Sequence, residues 1–188
     1  MNTELLFQPY KDKLKAGILL GPPGDLTDSI FQILSDLDCF YALSLKKILN
    51  KTEKKPGLGE FCDKYTSKGM PLPDDMIQAL CKGYFEGILH TYEFCPESQV
   101  LLLEGVPFNK SQAESFQHLL EVLFVVVLDV SALNSNSYKT KEKALRAYQT
   151  EALDMLKAYP ESKVFRVNGN QKPHQIVKDI LISINHII

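Results

Sequence analysis

The chain contains no tryptophan and only two arginines, Arg146 and Arg166, among 188 residues. So few planar forks exclude the usual arginine cage around a moving phosphate, since bidentate grip on phosphate is the guanidinium's particular chemistry. Cysteine is sparse as well. Cys39, Cys62, Cys81 and Cys95 lie far apart with no C-x-x-C pair, which argues against a zinc site and for reduced thiols inside a cell. No apolar run approaches the roughly 18 residues of a membrane span, and the N-terminus MNTELLFQPYKDKLK has no apolar stretch after a basic start. Twenty-one basic against twenty-three acidic side chains give a net charge of −2 without a basic stripe, so nucleic acid is not an expected partner. Lys51 to Lys55 reads as a solvated turn. The expectation is a cytoplasmic chain, neither secreted nor membrane-inserted.

The stretch that organises the chain is residues 16–29, AGILLGPPGDLTDS. A short apolar run, Ala16 to Leu20, ends at Gly21-Pro22-Pro23-Gly24, and Ser29, Ile30, Ile33, Leu34 and Leu37 then recur at helical spacing. Strand, tight loop and helix in that order form the frame on which backbone N–H groups can cradle phosphate. Asp25 and Asp28 offer another use of the same place, as caps for the orphan N–H groups of the helix start.

Further along, residues 39–43 read as a second strand, and 45–51 with 58–68 as two short helices split by Lys55-Pro56-Gly57. A longer helix from Pro73 to about Tyr92 puts Met76, Ile77, Leu80, Tyr84, Ile88 and Leu89 on one face, with Asp74 and Asp75 suiting the dipole of its first turn. Gln99 to Glu104 is a continuous apolar strand of the kind buried in a parallel sheet. A helix over 111–120 precedes the β-branched run 123–130, and 131–137 reads as a loop. A long helix from Lys139 to about Tyr159 turns Leu145, Tyr148, Ala152, Met155 and Leu156 inward. Residues 164–167 make the last strand, 168–170 a turn, and 174–187 the closing helix. Alternating strands and helices over this length predict one α/β domain with a five-stranded parallel sheet covered on both faces.

The loop resembles that of adenylate kinases and other nucleoside monophosphate kinases, which read G-x-P-G-x-G-K-[GS]-T. Gly21, Pro23, Gly24 and Ser29 fit; Leu26 stands for the second glycine and Thr27 for the lysine. Residues 57–77, GLGEFCDKYTSKGMPLPDDMI, resemble the nucleotide-binding helices of that family, with Lys68, Gly69, Pro73 and Asp74 in phase with K-G-x-L-V-P-D-E. LLLEGVPF, 101–108, is similar to L-L-L-D-G-F-P-R, and Gln112-Ala113-Glu114 follows at the family's distance. The resemblance covers most of the chain. It implies a P-loop fold with a small helical nucleoside monophosphate-binding insert near 45–75 and no or minimal lid, because 131–138 is short and lacks arginine.

By the same resemblance, Gly21, Pro23, Gly24, Thr27 and Ser29 hold the ATP-side positions. Ser44, Gly105 and Gln112 hold the acceptor-side positions, and Glu104 that of the aspartate holding a magnesium-bound water; magnesium is implied only if nucleotide binds. The departures fall where the family touches phosphate: Leu45 and Leu49 replace a glycine and an arginine, Phe108 replaces an arginine, and Ala144 opens the R-L-x-x-Y segment that keeps Leu145 and Tyr148. Three readings follow. The chain is a catalytically impaired module binding an adenine nucleotide, a nucleoside or a protein partner; or an active kinase that uses lysines such as Lys46 and Lys47, or arginines lent by a second protein; or a structural interaction domain with an empty pocket. His90, His118, His174 and His186 show no partner pattern and are assigned surface or helix-end roles.

Overall fold

The computed structural model describes residues 12–53, 57–66, 72–130, 148, 150 and 153–188. Five strands form one parallel sheet: β1 (Leu14–Leu20), β2 (Phe40–Ser44), β3 (Val100–Glu104), β4 (Leu120–Asp129) and β5 (Val164–Asn168), in the order β2-β3-β1-β4-β5. The longer helices among these residues are α1 (Asp25–Ser35), α2 (Leu45–Glu53), α3 (Leu58–Thr66), α4 (Asp74–His90), α5 (Lys110–Phe116) and α6 (Pro173–Ile184). This is the α/β architecture expected from the alternation of strand and helix patterns, and it is consistent with a P-loop, adenylate-kinase-like fold. Helices α2 and α3 occupy the place of the expected insert. The loop 131–137, the place of the lid expected to be missing or minimal, Arg146 and most of the helix expected over 139–159 lie outside the described residues. The tail of that helix is seen as a helical turn at 153–155 that tightens to a 3₁₀ turn at 156–158 before Pro160.

Each strand feeds two cores because successive side chains point to opposite faces. Leu19, Leu102, Phe124 and Val126 meet Ile30 and Leu34 of α1 and Ile176, Val177 and Ile180 of α6 on one face. Ala16, Ile18, Leu101, Leu103, Val125 and Val127 meet α4 and α5 on the other, through Leu80, Cys81, Phe85, Ile88 and Phe116. Gly17 is required by this packing: a Cβ there would stand 2.1 Å from the buried Phe124 ring. Burial pushes the Cys81 thiol up to about 12, as suits a cysteine that serves only as a core residue.

Several boundaries differ from the sequence expectation. The helix expected over 111–120 ends at Phe116, and Leu120 to Val122 already belong to β4, where Leu14, Lys15 and Ala16 pair with them. Parallel pairing with the start of β1 outweighs the helical spacing that Leu120 keeps with Ala113 and Phe116. Strand β2 sits one residue later than expected. Helix α4 stops at His90, since Thr91 caps it and Tyr92 turns to φ 56°. Among the described residues no helix is long and apolar enough to cross a membrane.

Candidate functional site

Helix α1 follows β1 onto one face and α5 follows β3 onto the other. A crevice therefore opens between the carboxyl ends of these two neighbouring strands, where α/β sheets bind ligands. The register brings the expected site residues to this place: Glu104 pairs with Leu19 of β1 on one side and with Ser44 of β2 on the other. The loop Gly21 to Gly24 begins just beyond Leu20.

That loop is shut. Thr27 is 2% exposed, and its hydroxyl donates to the Pro22 carbonyl at 2.7 Å. Gly21 is required by that closure, because a Cβ there would lie 2.3 Å from Thr27 Oγ1. In the phosphate-cradling pattern, residues up to the second glycine remain in the loop. Here Leu26 takes that glycine's place with its side chain packed into the α1–α6 core, and the helix starts at Asp25. Neither Asp25 nor Asp28 caps it, contrary to the capping role open to them from sequence. The N-cap is Gly24, at φ 141° and ψ −174°, a backbone region that is essentially glycine's alone. Both aspartates instead project from the first turn, exposed, as does Ser29.

Ser44 ends β2 and starts α2: its Oγ accepts the Lys47 N–H at 3.1 Å. Beside it a cleft of about 570 Å³ is lined by Asp28, Phe31, Gln32, Ser44, Lys46 and Glu104, among others. Burial holds the Glu104 carboxyl above the ordinary glutamate value, with the Asp28 charge adding to the rise and Lys46 opposing it. Lys47 lines the same cleft, its ammonium 3.4 Å from the Ala42 carbonyl and 5.0 Å from the Tyr41 ring centre. Gly105 follows at φ 72° over Leu45, ahead of a cis Val106–Pro107 peptide. Leu49, in the place of a family arginine, packs against the core.

The raised Glu104 value has a defined consequence. A carboxyl that binds its proton more tightly folded than unfolded withdraws stability as pH climbs from the ordinary 4.5 through the raised value. Glu104→Gln should therefore melt above the parent at about pH 8, with the two converging near about pH 3, where the glutamate is protonated in both states. Parallel melting curves across that range would show that the cleft solvates this carboxylate fully.

Gln112 is where the structure departs furthest from the role the resemblance assigns. It is 3% exposed, and its Oε1 accepts the Phe108 N–H at 2.8 Å while its Nε2 donates to Asp74 Oδ1 at 2.8 Å. Asn109 caps α5 by accepting the Gln112 N–H, and its Nδ2 also reaches Asp74, at 3.2 Å. The amide thus ties α5 to the first turn of α4. Asn109 and Asp74 were not singled out for this network by sequence, although the N-x-x-Q spacing at a helix start carried the signal.

On the far side of the sheet, Arg166 pairs with Asp129 at 3.1 Å across β5 and β4, both half-exposed. Tyr148 lies close enough for both charges to act on its phenol, which burial above all pushes up to about 12. His90 holds the Glu86 carbonyl at the end of α4, and His186 stands edge-on to Phe165. Among the described residues no group of three or more His, Cys, Asp or Glu is placed to hold a metal.

No protein-family profile matches the chain. Over 108 residues, 56% of its length, the chain is 31% identical to a protein described as adenylate kinase from Hydrogenobaculum sp. (strain Y04AAS1). It spans about half the length of that curated relative, 47%. With the parallel five-stranded sheet and the glycine loop after β1, this likeness supports a distant adenylate-kinase-like relation.

Proposed function

We infer that this chain is a catalytically impaired adenylate-kinase-like module, able to hold a nucleoside-sized ligand weakly at the ends of β2 and β3 but not to grip or transfer phosphate. The observation that carries the reading is the Thr27 hydroxyl on the Pro22 carbonyl, which ties the loop across at the position where the resemblance expects a phosphate-binding lysine. Supporting it, Asp25 and Asp28 put negative charge at the helix end that would otherwise favour an anion. On the acceptor side, Leu49 and Phe108 stand where the family grips phosphate, and the cleft beside Ser44 retains Glu104, Lys46 and the Phe31 ring. Magnesium would enter only with a nucleotide. Glu104, with Asp28 beside it, supplies the oxygen donors that would meet its water shell.

The test is a coupled assay for transfer from ATP to AMP, UMP and CMP, with calorimetric titration of AMP and adenosine alongside. The expected result is no turnover, and adenosine bound about as well as AMP. Without charge-assisted contacts the extra phosphate adds nothing to affinity. Turnover in the ordinary kinase range of about 1–100 s⁻¹ would overturn the reading. A preference for AMP beyond about tenfold would show that Lys46 or Lys47 replaces the missing arginines. Silence toward both ligands would leave the purely structural role.

A further inference from the structure

Among the described residues strand β2 is an edge of the sheet, with β3 as its one hydrogen-bonded neighbour. In a parallel pair, the N–H and C=O of one residue face the neighbour and those of the next face away. Cys39 turns its carbonyl to β3, accepting from the Val100 N–H. Phe40, Ala42 and Ser44 therefore face outward, as the Lys47 ammonium on the Ala42 carbonyl confirms. The Phe40 N–H is used by the Leu37 carbonyl, and the Ser44 carbonyl faces the first turn of α2. Four outward groups remain: the Phe40 carbonyl, both groups of Ala42 and the Ser44 N–H. Only the weak, exposed Lys47 contact engages any of them among the described residues.

This set is self-complementary about Ala42. Laid antiparallel against a second β2, the Ala42 groups exchange two hydrogen bonds with their counterparts, and each Ser44 N–H meets the other copy's Phe40 carbonyl. We propose that β2 is a homodimer edge, pairing antiparallel with β2 of a second copy of this chain about a two-fold axis through Ala42, so that the two sheets run on as one. A two-fold interface requires such a self-matching patch. Charge favours the same arrangement. Exposed Lys46 lies just beyond one end of the strand, and exposed Asp36 and Asp38 just before the other, so antiparallel pairing sets the basic end of each copy beside the acidic end of its mate. The axis also keeps both α1 helices on one face, where Phe31, Gln32 and Ser35 of the two copies roof the cleft that flanks the edge. Lys47, exposed and 3.4 Å from its acceptor, has only to swing aside. Such a lysine is how an unpaired edge is kept from pairing indiscriminately.

Sedimentation equilibrium of the full chain, up to about 0.5 mM, should show a monomer–dimer equilibrium. Ala42→Pro removes the central N–H from both copies, at an edge position where proline does not touch the β2–β3 ladder. It should weaken dimerisation at least about tenfold while the monomer keeps its circular dichroism. Lys46→Glu and Asp38→Lys should each weaken it, and the two together should restore it, a recovery that a mere folding defect cannot produce. If Ala42→Pro fails to fold, the charge exchange decides alone. A chain that stays monomeric throughout, or a dimer that none of these changes alters, overturns the proposal. So does a dimer that the single charge changes weaken but their combination does not restore, as would be expected if the edge accepts any extended peptide.

Discussion

Replacing Gln112 by alanine should cost about 2–4 kcal/mol of stability and leave the titration with adenosine unchanged. The substitution strands two groups at once. The half-buried Phe108 N–H loses its 2.8 Å acceptor and the Asp74 carboxylate loses a 2.8 Å donor, and an unsatisfied buried polar group costs roughly 1–3 kcal/mol. Cavity formation around a 3%-exposed side chain adds to that. For a chain of this length each kcal/mol lowers the melting temperature by about 2–4 °C, so a fall of roughly 4–16 °C is expected. Asn109→Ala should lower it in the same direction by less, because it removes the α5 cap and a longer contact to Asp74. The opposite pattern, unchanged melting with loss of adenosine binding, would return Gln112 to the base-reading role that its place in the family pattern suggests.

The parts of the fold that were legible in the sequence are those written in runs of side chains. Residues 99–104 and 123–130 are apolar on both sides, which a strand covered by helices on both faces requires, and both are core strands. What escaped was decided by contacts between distant residues. Leu120 keeps the helical spacing of Ala113 and Phe116, yet it pairs with Leu14, more than a hundred positions earlier. The loop shows the same division. That it lacked a lysine and a glycine was plain from Thr27 and Leu26. That Thr27 would turn inward and seal it was not, since this depends on where the Pro22 carbonyl falls once the helix begins at Asp25. Two aspartates at a helix start are good caps by residue type. Because the helix begins at Asp25, both lie inside its first turn, and the N-cap position falls to Gly24, which offers no side-chain acceptor and takes a conformation essentially reserved for glycine.

Charge and closure act together at that loop, and this is why single substitutions should do little there while a combined one does much. At about 6 Å and an effective dielectric near 20, one unit charge is worth roughly 3 kcal/mol to a phosphate, an upper figure for a site open to water. Asp25→Ala with Thr27→Lys shifts the site by two such units. Leu26→Gly returns the conformational freedom that the wrapped loop needs, at a cost of about 1 kcal/mol to the first turn of α1. Replacing Thr27 also releases the Pro22 carbonyl. The triple variant should therefore bind ATP at least about a hundredfold more tightly than the parent in calorimetric titration, with salt eroding the gain. Thr27→Val breaks the same hydrogen bond without adding charge and should gain nothing, which separates opening the loop from recharging it. Phosphate transfer should stay absent from the triple variant, since Leu49 and Phe108 still stand where the acceptor's phosphate would be held. If the triple variant binds ATP no better than the parent, the start of α1 is denied to phosphate by something other than charge and the Thr27 lock.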